Sequence, residues 1–264
     1  MRKKSQNIIS SRANKKNGFA SKLLPFSAIA AVLVIWQTVS MTGLVPEFML
    51  PSPVGVARAF IGDFPLLMSH LWTSLAEAFL GLGLGILVGF LAALLMDSFE
   101  GCYRAFYPVI VITQTIPTIA IAPLLVLWMG YDIAPKVTLI VIVTFFPIAV
   151  GLLEGFRSAD EDALRLLKAM GAGRWQIFRY VKFPQALNSF FSSLRISVSY
   201  SVVGAVIAEW LGGYKGLGVY MTRVRSAYAF DKMFAVIFLI SAISLLLMGC
   251  VTLLRKKCMP WEKK

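Results

Sequence analysis

The sequence predicts an all-α polytopic membrane protein with about six transmembrane helices. Of its 264 residues, 58% are hydrophobic and only 15% are charged. Apolar runs near the ~20 residues that a helix needs to cross a bilayer recur along the chain, and basic residues cluster between them. Backbone groups in lipid must find their hydrogen bonds within the protein, which helices achieve. A soluble domain is therefore excluded.

The predicted spans divide the chain into one membrane domain and two tails. The spans lie at about 23–45, 72–96, 105–129, 133–153, 190–211 and 233–254. Together they form one transmembrane domain at 23–254. Residues 1–22, basic and without acidic side chains, predict a disordered cytoplasmic tail, and residues 255–264 predict a second one. The first run is longer than the ~7–15 apolar residues of a signal peptide, so it stays as a span.

The distribution of charge predicts that both termini of this cell-membrane protein lie in the cytoplasm. With that orientation, 19 of the 26 Lys and Arg residues fall on the inner side and six fall outside, as the positive-inside rule requires. The basic surplus therefore reflects membrane topology, and no nucleic-acid partner is expected. The proline-punctuated segment 46–71 is expected along the outer surface, with a short helix at 54–61.

Three glycines in the second predicted span indicate a helix-packing face. Gly81, Gly85 and Gly89 recur every four residues, so they share one face and allow another helix to approach closely. A nucleotide-binding glycine loop would need a preceding strand and surrounding water.

Polar and ionisable residues inside the spans predict a translocation path. Prolines weaken the backbone hydrogen bonds of the third span, the fifth is too rich in serine for a lipid face, and charges within a membrane are costly. Three alternatives remain open. The third span is a kink without function whose polar groups are satisfied by neighbouring helices, the two glutamates pair structurally, for example with Arg223 or Arg225, and the arginine reaches to lipid phosphate. The candidates are Glu77, Gln114, Thr115, Thr118, Arg195, Ser197, Tyr200, Ser201 and Glu209.

A charged loop at 154–189 predicts a surface that couples the membrane domain to a cytoplasmic partner. It carries six basic residues and two short helical patterns separated by Gly171 and Gly173, with Pro184 ending the second. Apolar side chains at helical spacing would face the partner, the alternative being a helix that rests on lipid. The candidate coupling residues are Arg165, Lys168, Met170, Gly171, Trp175, Phe178 and Pro184.

The same loop resembles the cytoplasmic EAA motif of permeases in binding-protein-dependent ABC importers. The motif's glycine falls on Gly171, and its terminal I-x-L-P resembles Val181-Lys182-Phe183-Pro184. The motif's glutamate position holds Arg165. In the family that glutamate helps to hold the ATPase partner, so the resemblance predicts docking without that ion pair.

Further motifs resemble the nitrate, sulfonate and taurine branch of these permeases. They include Pro51-Ser52-Pro53, Ile116-Pro117 and Phe145-Phe146-Pro147. Glu209-Trp210-Leu211-Gly212-Gly213 and Gly216-Leu217-Gly218-Val219 are most similar to permeases for the pyrimidine precursor of thiamine. The resemblance implies a type I ABC importer permease fold and a hydroxymethyl- or formylamino-pyrimidine substrate. The alternative is the same machinery for taurine, alkanesulfonate or nitrate.

The resemblance also implies the partners of this chain. They are cytoplasmic ATP-binding subunits, an extracytoplasmic solute-binding protein, a second permease copy in a homodimer, and membrane lipid. The sequence has no phosphate-cradling Gly-Lys-Ser/Thr loop, so ATP is expected to be hydrolysed by a partner. One histidine and three dispersed cysteines predict no metal, cofactor or catalytic site. An ion-coupled secondary transporter remains a remote alternative.

Overall fold

The computed structural model describes residues 27–43, 45–46 and 48–260, and these residues form helices and connecting turns without a β-strand. The all-α prediction is confirmed, whereas the predicted tail at 1–22 lies outside the described residues. The helices are α1 (Ser27–Met41), α2 (Pro53–Gly62), α3 (Phe64–Ser98), α4 (Glu100–Thr113), α5 (Thr118–Met129), α6 (Ile133–Arg157), α7 (Glu161–Ala169), α8 (Arg174–Ile177), α9 (Phe183–Trp210), α10 (Leu217–Ser226) and α11 (Phe230–Cys258).

The described chain divides into two compact units. The first contains α1, α2 and the start of α11, and the second contains α3 to α10 and the remainder of α11. Within the first unit, the Trp36 indole N–H donates to the Pro51 carbonyl at 3.0 Å, and the Ser40 hydroxyl donates to the Leu50 carbonyl. These bonds fasten α1 to the proline-rich connection that precedes α2.

Four described helical stretches are long and apolar enough to cross a membrane: α3, α6, the continuous helix Arg174–Trp210 and α11. They confirm the predicted spans at 72–96, 133–153, 190–211 and 233–254. The predicted span at 105–129 is instead a pair of helices, α4 and α5, bent by 98°. The predicted span at 23–45 begins outside the described residues, and its described portion is the shorter apolar helix α1.

Pro65 and Pro184 both lie in the first turn of a long helix. The sequence instead predicted a surface segment around Pro65 and the end of a helix at Pro184. Pro65 lies at the start of α3, so residues 64–71 belong to that helix and not to a surface segment. Pro184 lies at the start of α9 and does not end the preceding helix. A π-helical turn, Phe178–Lys182, directly precedes α9 and is wider than an α-helical turn. In it the Phe183 N–H donates to the Phe178 carbonyl five residues back. This widening accommodates a residue that has no N–H of its own.

Helix α6 forms the centre of the second unit, between α3 and α9. The predicted glycine face of α3 is confirmed: Gly81, Gly85 and Gly89 lie against Ile140, Thr144 and Ile148 of α6. A Cβ atom on Gly85 would overlap the Thr144 hydroxyl. Close approach of two backbones is the usual way for helices to associate in lipid.

Candidate translocation path and coupling surface

The break between α4 and α5 exposes polar groups inside the predicted third span. Pro117 has an extended backbone (φ −61°, ψ 120°) and precedes the first residue of α5. The hydroxyl groups of Thr113 and Thr115 donate to the carbonyls of Ile110 and Ile112 at 2.6 and 2.8 Å. They add side-chain donors to carbonyls in the last turn of α4, where the Ile112 carbonyl also accepts the Thr115 N–H at 3.0 Å.

A cavity of about 360 Å³ lies beside this break, between α5, α6 and α9. Its residues on α9 recur at helical spacing, which indicates that one face of that helix forms the wall. Every described residue that lines the cavity is uncharged. The lining residues are Thr113, Gln114, Ile116, Pro117, Thr118, Leu139, Ile142, Val143, Tyr200, Val203, Gly204 and Ile207.

The structure brings three of the predicted path residues together in this cavity: Gln114, Thr118 and Tyr200. They contribute an amide and two hydroxyl groups, which can both donate and accept hydrogen bonds. Thr115 is adjacent, but its hydroxyl donates to the Ile112 carbonyl. The apolar residues of α6 that line the cavity were not predicted, because their sequence is the same kind of apolar run that faces lipid.

The two predicted path serines on α9 lie in helix packing. Ser197 is buried and donates to the Thr144 carbonyl at 3.2 Å, which joins α9 to α6. Ser201 is also buried and donates to the Val198 carbonyl of its own helix. Neither serine is among the described residues that line the cavity, and their place in the path stays a prediction.

Glu209 lies at the end of α9, fully enclosed by protein, with 1% of its surface exposed. Its Oε1 accepts from the Ser74 hydroxyl and its Oε2 accepts from the Gly218 N–H, both at 2.6 Å. A buried carboxylate normally requires such partners. These two bonds join α9 to α3 and to the start of α10.

Two further bonds extend this arrangement along the same loop. The Leu217 N–H donates to the Ser74 hydroxyl oxygen at 2.8 Å, and the Gly216 N–H donates to His70 Nδ1 at 3.0 Å. We call His70, Ser74 and Glu209, with the backbone N–H groups of 216–218, the amide clamp. Gly216 has φ +137°, and a Cβ there would overlap the Glu209 carboxylate. Glycine is therefore required at this position.

Glu77 pairs with Lys136 of α6 and not with the expected Arg223 or Arg225. The Lys136 ammonium donates to Glu77 Oε1 at 2.7 Å, and these side chains are 7% and 4% exposed. Arg223 instead donates to the Tyr214 carbonyl. Glu77 and Glu209 thus have structural partners inside the protein, and neither is among the described residues lining the cavity.

The sequence carries a pattern that indicates the buried polar residues of α3, of which only Glu77 was predicted to be functional. His70, Ser74 and Glu77 follow one another at helical spacing and continue into Gly81 and Gly85, so one stripe of α3 faces the protein. Lys136 carries no comparable local signal, because its partner is 59 positions away in the chain.

Helix α7 begins the predicted coupling loop and is stabilised from within. The Asp160 side chain caps it by accepting from the Asp162 N–H at 2.9 Å. Arg165, at the motif's glutamate position, forms an exposed ion pair with Glu161 one turn earlier at 2.8 Å. Lys168 is exposed in the last turn. The arginine's charge is therefore partly balanced within its own helix.

The predicted glycine bend is confirmed at Gly171. This residue has φ +80°, in the left-handed region that favours glycine, and its N–H donates to the Lys168 carbonyl. Gly173 has an ordinary φ of −72° and precedes α8, and its N–H donates to Gln176 Oε1 at 2.7 Å. The bend thus turns the chain from α7 into the next helix.

An apolar surface lies on both sides of this bend in the chain. Met170 and Trp175, two predicted coupling residues, are 73% and 72% exposed. Leu166 and Tyr180, which were not predicted, are exposed on the same loop. We call these four residues the coupling surface.

Phe178 and Lys182 fasten the coupling surface to the membrane helices. Phe178 is half-buried and packs against the fully buried Phe156, with ring centroids 5.4 Å apart. The Lys182 ammonium donates to both carboxylate oxygens of Asp97, at the end of α3, at 2.7 and 2.8 Å. These contacts join the π turn to α3 and α6.

Comparison with known proteins connects this arrangement to importer permeases. The chain is 38% identical over 234 residues to the formylaminopyrimidine transport permease ThiX of Halalkalibacterium halodurans, covering 88% of this chain and 93% of that protein. It is 37% identical to a probable ABC transporter permease of Haemophilus influenzae, with coverage of 85% and 92%. It is 28% identical to the taurine transport permease TauC of Escherichia coli, with 90% of each chain covered.

A solved structure shares the fold. The inward-facing MetNI methionine ABC transporter matches with a TM-score of 0.66 at 19% identity, over 74% of this chain and 97% of that chain. This likeness confirms the type I ABC importer permease fold. The model of binding-protein-dependent transport system inner membrane components matches residues 85–259. The chain therefore belongs to that family and is the membrane-embedded permease subunit of an ABC importer, working with ATP-binding and substrate-binding partners.

Proposed function

We propose that this permease imports an uncharged aminopyrimidine, a hydroxymethyl- or formylamino-pyrimidine precursor of thiamine. The observation that carries the proposal is the uncharged lining of the cavity, with one amide, hydroxyl groups and an exposed tyrosine ring. A planar heterocycle with ring nitrogens and an amino group can exchange hydrogen bonds with Gln114 and Thr118 and stack on Tyr200. The 38% identity to a formylaminopyrimidine permease supports the same substrate class.

Taurine and alkanesulfonates are the second candidate substrates, because relatives that carry such names are 28% identical to this chain. An alkanesulfonate brings a fixed negative charge into the membrane, which requires basic groups or oriented donors along its path. Arg195 is not among the described residues of this cavity and lines a separate one. The cavity's chemistry thus favours the pyrimidine.

The coupling surface is proposed to receive the ATP-binding subunit. Its exposed methionine and tryptophan are the kind of side chains that fill pockets at protein interfaces. This assignment puts the 154–189 loop and both termini in the cytoplasm, in agreement with the distribution of basic residues. The solute-binding protein would then dock at the opposite end, where the amide clamp fixes the loop before α10.

A second copy of the chain is proposed to complete the path. Gln114 and Tyr200 are exposed at the cavity, and a polar opening on the side of one permease would otherwise face lipid. In a homodimer the two cavities would face each other across a shared axis. Lipid then surrounds the remaining apolar faces of the spans.

Uptake in cells tests the proposed substrate. Cells with and without this permease are given labelled hydroxymethyl- and formylamino-pyrimidine, and labelled taurine and an alkanesulfonate in parallel. The proposal expects permease-dependent accumulation of a pyrimidine alone. Permease-dependent uptake of a sulfonate without pyrimidine uptake would overturn the substrate and retain the importer family.

A further inference from the structure

Arg195 is a charged residue within a membrane-spanning helix, and the proposed path does not use it. It is exposed on α9, and no ion pair joins it to a carboxylate within residues 27–43, 45–46 and 48–260. A guanidinium at such a depth is costly unless it reaches water, a counter-ion or a headgroup. Its surroundings therefore indicate what ligand it meets.

Arg195 lines a cavity of about 380 Å³ between α9 and α11. A second guanidinium, that of Arg255, lines the same cavity from α11, with the hydroxyl-bearing residues Ser192 and Thr252 between them. Both hydroxyls donate to carbonyls of their own helices. The Arg195 guanidinium is thus the principal donor towards a ligand, and Arg255, which also bonds Asn188, adds a second positive charge to the cavity.

The two arginines approach this cavity from different depths. The Arg255 guanidinium donates to Asn188 Oδ1 at 2.5 Å, which aligns the end of α11 with the beginning of α9. Arg195 lies about two turns, or roughly 10 Å, further along α9. Helical side chains tilt towards the N-terminus of their helix, so Arg195 extends back towards the level of Arg255. This tilt reduces the difference in depth between the two charges, and both line the same cavity.

We propose that this cleft binds the headgroup of an anionic phospholipid, with its phosphate held between Arg195 and Arg255. Guanidinium groups bind phosphate oxygens through paired, charge-assisted hydrogen bonds. The remaining walls, formed by Phe191, Ile196, Met248 and Val251, are apolar and match an acyl chain. Lys256 and Lys257 continue the positive charge on α11, where basic clusters attract anionic lipid.

Lipid retention by the intact transporter tests this site. The permease is purified with its ATP-binding subunits, titrated with phosphatidylglycerol in detergent, and examined by native mass spectrometry. Arg195→Gln is expected to lower affinity for the bound lipid about tenfold or more, because a charge-assisted hydrogen bond to the phosphate contributes more than the roughly fivefold effect of one basic group near an anionic surface. Arg255→Gln is expected to do the same. Lys257→Gln, on the same helix end but outside the cavity, is the matched control: it removes the same charge without a contact in the cleft and should lower affinity by no more than that roughly fivefold factor.

Parallel titrations distinguish the source of the phosphate and the other occupants. Phosphatidylcholine has the same phosphate but also a choline cation, which two guanidinium groups repel, so it should bind the wild type more weakly than phosphatidylglycerol. Millimolar inorganic phosphate should not displace phosphatidylglycerol. Equal retention of phosphatidylglycerol by the wild type and both arginine variants would overturn the proposal. Displacement by inorganic phosphate, or loss of the permease dimer in Arg195→Gln with unchanged lipid retention, would overturn it too.

Discussion

At the scale of single residues, the role of a polar side chain depends on whether it lines the cavity or is buried between packed helices. Gln114 lines the cavity, whereas the neighbouring Thr115 does not, and its hydroxyl donates to the Ile112 carbonyl of its own helix. Glu209 looks equally functional in the sequence, yet it accepts hydrogen bonds from two other elements. Adjacent or similar residues thus separate into groups free to meet a solute and groups committed to the fold.

Gln114→Leu is expected to reduce pyrimidine uptake about five- to thirtyfold, because one or two hydrogen bonds to the solute would be lost at roughly 1 kcal/mol each. Protein amount and solute-independent ATP hydrolysis should stay unchanged. Initial rates of labelled pyrimidine uptake measure the effect. Thr115→Val, whose hydroxyl does not line the cavity, is the control and should retain most activity. An equal loss in both variants would show that the break matters only for folding.

Glu209→Ala is expected to destabilise the protein, because it leaves the buried Ser74 hydroxyl and Gly218 N–H without their acceptor. Each unsatisfied group costs about 1–3 kcal/mol. Thermal unfolding in detergent should show a clear decrease in midpoint. Glu209→Gln keeps one carbonyl acceptor and should have an intermediate midpoint. A Glu209→Ala protein as stable as the wild type would contradict the clamp.

At the scale of elements, two glycines control how helices meet. Gly171 allows the chain to turn between α7 and α8 with φ +80°, and Gly85 allows α3 to lie against Thr144 of α6. Each has a neighbouring glycine with no such constraint. Gly173 has an ordinary φ, and a Cβ on Gly83 would meet no atom within 4 Å among the described residues.

Gly171→Val is expected to weaken docking of the ATP-binding subunit while leaving membrane insertion intact. A β-branched residue with positive φ is strained by about 1–2 kcal/mol, so the bend and the exposed Met170 would shift. Co-purification of the subunits and solute-stimulated ATP hydrolysis measure the loss. Gly173→Ala should behave as the wild type. Normal assembly and coupling in Gly171→Val would contradict the role of the bend.

Gly85→Val is expected to separate α3 from α6, because its side chain would overlap Thr144 in a tightly packed interface. Overpacking of this kind costs about 1–3 kcal/mol. The thermal unfolding midpoint of the purified permease should fall, whereas Gly83→Val on the same helix should leave it nearly unchanged. Similar midpoints for the two variants would refute the glycine interface.

At the scale of the whole molecule, four of the six spans could be predicted because length and hydropathy are local properties of the chain. The glycine face and the bend at Gly171 were predictable for the same reason. The 98° angle between α4 and α5 was not, since prolines weaken a helix while its neighbours determine the direction it takes. The pairing of Glu77 with Lys136 depends on two helices meeting, and no local pattern encodes it.

The central claim is that an uncharged cavity in this importer passes an uncharged pyrimidine. Its most direct test is ATP-driven transport by the complete transporter, with its solute-binding protein, reconstituted in proteoliposomes and given labelled formylaminopyrimidine or labelled taurine. The account predicts ATP-dependent accumulation of the pyrimidine, sharply reduced by Gln114→Leu, and no accumulation of taurine. Accumulation of taurine without the pyrimidine, unaffected by Gln114→Leu, would contradict it.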